Sequence, residues 1–485
     1  MIIGIQQISP DKEAYGFDLQ RDLTSDNHGK VEHIVRGSMV AHQGEIMFPP
    51  PRCDPPPVAE AAATIETVEE DPIVVARKRA VRNSGLVGGS YAGMLAMGGS
   101  ATVPWLNLGL STWIGSQLVR GVLPALHSPL MAVTNAISGL TVVGGLVQLN
   151  GTIALNSAGA ANGLALVATG ISAVNIGGGF VVAQRMLDLF KRPSDPPEFQ
   201  HYLLLPTAAG GSALIAVGQS GIPLDTAIQN GAIGLSGAAL YCLSTQQTAR
   251  FGNCLAMTGV GLGLGTTLAD IYPDANLLTQ GGIAIGAGAA LGFAKGRAVD
   301  LQDLPQTVAL FHSFVGVAAS MTCISHYIAH LPTDGMSLTT GFLGTWVGGV
   351  TATGSIVAYK KLSGTMDGGA INPPGGKITD VAMLGGSAAT LGYMLTNDIT
   401  SAGPMTGVAC LMVPTVTSAL SGWRLAKAVG GADMPVIITT LNSSSGWALA
   451  AEGVLMNNNL LTGVGCFIGS SGAFLSHHMC KYIPY

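Results

Sequence analysis

"QTVALFHSFVGVAAS", residues 306–320, carries one imidazole, His312, in an otherwise apolar and small-residue run. Lipid offers a backbone no hydrogen-bond partners, so a run of about 20 such residues reads as a helix that crosses a membrane. The rest of the chain has the same character. Hydrophobic residues make up 48% of its 485 residues and charged ones only 10%, with 68 glycines. That is roughly twice the usual glycine share and under half the usual charge of a soluble domain. Abundant Gly, Ala and Ser suit spans whose backbones approach closely where lipid supplies no drive to associate. The net charge of −5 says little, because most charges fall between spans.

From residue 83 onward apolar stretches follow one another with short polar breaks. A window of roughly 19 residues marks candidates centred near 94, 115, 139, 172, 211, 235, 261, 286, 318, 347, 388, 413, 445 and 470. The predicted fold is therefore all-α, a polytopic membrane bundle of about fourteen transmembrane helices. Residues 1–82 read as a short extramembrane segment ending in the proline-rich linker "MFPPPRCDPPPVAEAAATIETVEED", and 83–485 as the membrane domain. The segment has no apolar core of a secretory signal, and Asp11, Glu13 and Asp18 set it apart from an Arg-rich transit peptide.

Basic residues test this division. The even-numbered breaks hold Arg120, Lys191 and Arg192, Arg250, Lys295 and Arg297, Lys360, Lys361 and Lys377, and Arg424 and Lys427, and Lys481 follows the last span. The odd-numbered breaks hold no Lys or Arg. The positive-inside rule then predicts an even number of spans, with the N-terminus and basic loops on the cytoplasmic or matrix side.

Two tempting motifs are refused. The glycine runs "GVGLGLG" (259–265) and "GIAIGAGAALG" (282–292) lie inside apolar spans, whereas a dinucleotide fingerprint needs a strand before it, a helix after it and an acidic residue about 20 positions on. Close helix packing is the better reading. The seven cysteines are scattered singly with no C-x-x-C pair, so they read as small apolar fillers rather than a zinc site or disulfide framework. His477 and His478 with Cys480 suggest no metal either, because adjacent histidines at a helix end do not both face one ion.

Polar groups inside spans are expensive in hydrocarbon and so are functional candidates. His312 is the sharpest, since an imidazole takes up and releases a proton near working pH; a histidine bonded to a neighbouring carbonyl as packing glue is the competing reading. Asn442, with Ser443, Ser444 and Ser445, offers amide and hydroxyl groups to a histidine or to a file of water, and serves equally as glue between helices. Ser355 and Asn135 are similar, weaker cases. Asp433, in the basic-side break "GGADMP", is expected to be exposed. Glu452, near a span end towards the opposite side, is expected to be a solvated end residue, with a proton mouth as the alternative.

At these residues the sequence resembles a known family, the proton-translocating NAD(P)+ transhydrogenases of bacterial and mitochondrial inner membranes. The likeness is carried by "ALHSPLMAVTNAISGL", "SAVNIGGGFVVAQRMLDLFKRPSDPPE", "LPQTVALFHSFVGVAA", "GGVTATGSIVAYKKLSG", "GGADMPVIITTLNSSSGWALAAEG" and "LLTGVGCFIGSSGAFLSHHMCK". The family couples hydride transfer between NADH and NADP+ to proton passage, using an NAD(H)-binding domain, a membrane domain and an NADP(H)-binding domain. The resemblance implies that His312 is the proton-channel histidine and Asn442 a channel asparagine; Ser355 is counted with them as a candidate channel residue. It also implies that Asp433 lies in the loop facing the NADP(H) domain.

The segment "ISPDKEAYGFDL…HIVRGSMVAHQGEIMFPPP" resembles only the end of the NAD(H)-binding domain, and the chain stops at "MCKYIPY", before the NADP(H) domain of the family. The expectation is a membrane domain with no cofactor of its own and no transhydrogenase activity by itself. Its first reading is a non-catalytic, structural subunit of a larger, respiratory assembly in the mitochondrial inner membrane. The alternative is the proton-translocating part of a transhydrogenase whose nucleotide-binding domains are on other chains, or the bacterial inner-membrane equivalent. Expected partners are the bilayer, other inner-membrane subunits and, by resemblance, a second copy; nucleic acid is not among them.

Overall fold

The computed structural model describes residues 103–191, 224–397 and 404–482, apart from 153, 155, 272 and 333, together with the strand residues 30–31, 40–42 and 45–47. The chain divides into two units, Met1–Arg77 and Lys78–Tyr485. In the first, β1 (Lys30–Val31), β2 (Val40–His42) and β3 (Glu45–Met47) form an antiparallel sheet in that order, with Lys30 opposite His42 and Val40 opposite Met47.

Every described element of the second unit is helical. They are α1 (Val103–Leu118), α2 (His127–Ser138), α3 (Thr141–Val147), α4 (Ser157–Asp188), α5 (Leu224–Cys242), α6 (Gln246–Ile271) and α7 (Ala275–Ala298). After them come α8 (Leu304–His330), α9 (Gly335–Leu362), α10 (Gly376–Thr396), α11 (Pro404–Lys427), α12 (Met434–Leu455) and α13 (Asn459–Tyr482). This unit is thus an all-α polytopic membrane bundle. Twelve of the sequence-derived span centres fall on these helices, the one near 139 at the joint between α2 and α3; those near 94 and 211 lie outside the described residues. Seven of the described spans are long and apolar enough to cross a membrane by themselves.

Local chemistry sets the ends of these helices. Asn156, Asp274 and Asp334 accept backbone N–H bonds at the starts of α4, α7 and α9, from Gly159, Asn276 and Ser337, which satisfies amides that no helical carbonyl reaches. The Ser337 amide also holds the Asp334 carboxyl below its ordinary range. At the other ends, Arg185, Lys295 and Arg297, Lys360 and Lys361, Arg424 and Lys427, and Lys481 stand in the last turns of α4, α7, α9, α11 and α13. Cations there complement the helix dipole.

Glycine contacts fix the directions. On α7, Gly288 faces the Gly170 carbonyl of α4, Gly292 the Val174 carbonyl and the Gly178 amide, and Gly296 the Gly178 carbonyl, so the two helices run parallel with backbones touching along one stripe. Gly316 of α8 meets Gly348 and Ala352 of α9 while Ser320 bonds the Thr345 carbonyl, an antiparallel register. Likewise Gly446 and Gly453 of α12 meet Gly469 and Thr462 of α13. These directions agree with the alternation read from the basic residues. The glycine runs that mimic a nucleotide fingerprint are helix interiors, and Gly259, Gly263, Gly288 and Gly292 of those runs are closed over by neighbouring helices; they form no phosphate cradle.

Candidate functional site

Three helices that meet at the centre of the bundle begin alike. Each of α2, α8 and α12 follows a 3-10 turn, at Pro124–Leu126, Leu301–Asp303 and Gly431–Asp433. The joint residue has nearly the same backbone each time: Leu126 at φ −95, ψ −1, Asp303 at φ −95, ψ 0, and Asp433 at φ −94, ψ 1. Nine residues after each joint stand Asn135, His312 and Asn442, and four further on, on the same helix face, stand Gly139, Gly316 and Gly446. Each of these glycines meets the helix that follows in its hairpin, α4, α9 or α13. From 302 to 320 and from 432 to 450 exposed and buried positions follow one another in the same order. Nine residues carry the chain about 13 Å along a helix, close to the middle of a hydrocarbon core of about 30 Å.

The register brings His312 and Asn442 together although 130 positions separate them: the ring Nε2 lies 2.9 Å from Asn442 Oδ1. Asn442 Nδ2 donates to Thr134 Oγ1 of α2 at 2.7 Å. The Thr134 hydroxyl spends its own proton on the Leu130 carbonyl, 2.9 Å away, so it only accepts from Asn442. That orients the amide with Oδ1 toward the imidazole, and an amide oxygen has no proton to give. His312 Nε2 is therefore the protonated nitrogen in this hydrogen bond. All three side chains are buried.

The file continues along α12. Ser445 Oγ donates to the Asn442 carbonyl at 2.7 Å and lies 3.2 Å from Ser138 Oγ, which in turn meets the Thr134 carbonyl. Of the three serines after Asn442, only Ser445 belongs to this file. Ser443 bonds the Gly469 carbonyl of α13, and Ser444 bonds its own helix. Asn135 pairs instead with Asn175 of α4 at 2.9 Å, which makes it a clasp between α2 and α4. Ser355 is buried in α9 with no hydrogen-bond partner for Oγ, and the structure joins it to neither His312 nor Asn442 by a hydrogen bond. Asp433 is exposed at the start of α12.

Glu452 departs from the expectation of a solvated end residue. It is fully buried, with Thr141 Oγ1 of α3 at 3.4 Å from Oε1. The reason lies in α3, which packs beside it and presents Gly144, a residue with no side chain to push the carboxyl away.

On the basic side, Lys361 is buried rather than solvated. Its Nζ donates to the carbonyls of Gly369, Lys427 and Val429 at 3.0, 2.9 and 2.6 Å. With Gly431 N on the Gly368 carbonyl at 2.7 Å, this ties the loop after α9 to the loop that carries Asp433. Thr134, Ser138 and Thr141 went unread in the sequence, and Lys361 was read only as one of the charges of the basic end. One signal was there: "DLPQTVALFH" and "DMPVIITTLN", residues 303–312 and 433–442, share an Asp, a Pro two places on and the polar residue at the end.

Known proteins share this sequence pattern. The model for the "NAD(P) transhydrogenase beta subunit" matches residues 227–484, and that for the "4TM region of pyridine nucleotide transhydrogenase, mitoch" matches residues 105–192. Among curated proteins, the NAD(P) transhydrogenase subunit beta of Rhodospirillum rubrum is 34% identical over 251 residues, 50% of this chain and 52% of that one. The NAD(P) transhydrogenase subunit alpha of Cereibacter sphaeroides is 34% identical over 187 residues, 35% of each. The chain spans about half the length of that beta subunit and about a third of that alpha subunit.

Proposed function

We propose, because this chain belongs to the NAD(P) transhydrogenase beta subunit family, that it is the proton-translocating membrane part of an NAD(P)+ transhydrogenase. No hydride step is placed on these helices, whose glycine runs pack against one another. One observation carries the reading: three buried polar side chains from three spans, His312, Asn442 and Thr134, joined by hydrogen bonds.

The chemistry follows from that geometry. In the neutral ring Nε2–H donates to Asn442, which leaves Nδ1 to receive a proton. That nitrogen is buried and has no hydrogen-bond partner. Protonation at Nδ1 gives the imidazolium, and release of that Nδ1 proton to a water on the other side of the path restores the neutral Nε2–H ring, so one imidazole passes one proton per cycle. Asn442 and Thr134 position the ring and Ser355 lines the path. Asp433, held in place through the loop that Lys361 ties down, meets the NADP(H)-binding domain.

By analogy with the named relatives, the partner is an alpha-type subunit, with a second copy of this chain across a dimer interface. We place the protein in the mitochondrial inner membrane with its N-terminus and basic loops on the matrix side. A structural subunit of a respiratory assembly, the other reading of the sequence, has the weaker support, since the family match weighs for the conducting role. The test is proton uptake by liposomes carrying the assembled complex during transhydrogenation. His312→Ala should lower it by roughly a hundredfold; uptake at the wild-type rate in that variant would refute the proposal.

A further inference from the structure

Glu452 is the one carboxyl of α12 beyond Asp433, and the path described so far does not use it. It lies ten residues past Asn442, about 15 Å further along the same helix. It forms no ion pair among the described residues, and its Oε2 has no hydrogen-bond partner. The three helices that build the His312 site also enclose it. From the α2–α3 segment come Thr141 and Gly144, where a Cβ would stand 2.9 Å from Oε2. From α8 comes Thr322, buried against the same spot, its Oγ1 also without a partner.

The polar file extends on both sides of this carboxyl. Toward His312 run Thr141, Ser138 and Ser445, with Thr141 Oγ1 3.2 Å from the Ser138 carbonyl and Ser138 Oγ 3.2 Å from Ser445 Oγ. Away from it, one helical turn beyond Gly144 and Thr322, Gln148 Nε2 lies 3.0 Å from His326 Nδ1. The His326 ring stacks on that of His330, with centroids 4.3 Å apart, and His330 is exposed. Polar groups thus step from the surface at the far end of α8 down to His312, and Glu452 stands in the longest gap between titratable rings.

An ionised carboxyl with no cation costs several kcal/mol in such a place, and membrane interiors keep such groups where charge is moved. A carboxyl that only held α3 to α12 has no need of its acidity, since an amide would bond Thr141 as well and leave no charge to bury. We propose that Glu452 is a second proton-binding station on the path through His312, on the side where His330 is exposed. A proton entering from that side passes His330 and His326 and is taken up by the carboxylate. It leaves the acid again along the Thr141, Ser138 and Ser445 hydroxyls, with a water bridging Thr141 and Ser138, whose hydroxyls do not meet. This rests on the conducting role proposed for His312.

The test sets Glu452→Gln, Glu452→Asp and His312→Ala side by side in the assembled complex in liposomes. Proton uptake should fall roughly a hundredfold in Glu452→Gln and recover in large part in Glu452→Asp. Infrared difference spectra of the membrane chain should show a protonated-carboxyl C=O band that Glu452→Gln removes. Wild-type uptake in Glu452→Gln with loss in His312→Ala overturns the station and leaves the His312 path standing. Unchanged uptake in both variants removes the proposed function together with the station. A Glu452→Gln protein with lowered uptake but an unaltered C=O band assigns Glu452 a packing role and overturns the station too.

Discussion

At the scale of single residues, the site depends on hydrogen bonds that have no substitute in lipid. Thr134 accepts from Asn442, and Asn442 in turn orients the imidazole. Thr134→Val keeps the shape and removes the acceptor, leaving the Asn442 amide with an unpaired buried N–H. Such an orphan costs about 1–3 kcal/mol, so the thermal midpoint of the detergent-solubilised protein should fall, while Thr134→Ser stays near the wild type. Equal midpoints for Thr134→Val and wild type would show that the amide finds another partner. His312 was visible as chemistry in the sequence, since one imidazole in an apolar run needs no partner to be noticed, and Asn442 was legible as an amide able to serve a histidine or to join helices. Thr134 looks like any polar residue of a span until its distances are known. Glu452 was misread because a position near a span end says nothing about which neighbour covers it.

At the scale of helices, glycine decides which faces touch. On α7, Gly292 lies against the backbone of α4, whereas Gly286 has nothing near it. Gly292→Leu should therefore overpack the α4–α7 contact and cost about 1–3 kcal/mol, read as a lowered midpoint. Gly286→Leu, on an open face of the same helix, should leave it unchanged. Similar losses in both variants would mean that helix glycine content matters and the stripe does not. The sequence showed that these runs pack helices and bind no nucleotide, because a fingerprint needs a strand they lack. Which glycines take part was not legible. The spans are apolar on nearly every side, so no amphipathic stripe marks the packed face.

At the scale of the whole molecule, basic residues gather at one end of the bundle and the helix caps Asn156, Asp274 and Asp334 at the other. If the helices cross the bilayer as their registers imply, the loops at 334 and 367 lie on opposite sides. In a variant otherwise free of reactive cysteine, Asp334→Cys and Asp367→Cys should react with a membrane-impermeant thiol reagent from opposite faces of sealed vesicles. Labelling of both from one face would break the alternation. Lys361 shows the limit of charge counting at this scale. It belongs to the basic end as the sequence predicts, yet it is buried among three carbonyls because the loops at 369 and 427–429 fold over it.

The sequence by itself determined the fold class, the positions of twelve described spans, the alternation of their ends and the histidine at mid-membrane. Each of these is local: apolar length and terminal charge are set by residues that are neighbours in the chain. The repeated Asp, Pro and polar residue at 303–312 and 433–442 was also written there. Only the tertiary structure decided that His312 meets Asn442, that Thr134 turns the amide toward it, and that Glu452 is closed in by Gly144. Those pairings join spans more than a hundred residues apart, and they depend on how far each helix slides along its neighbours. A slide of one residue turns a side chain by about 100°, enough to break every bond in the site without changing the hydropathy of any span.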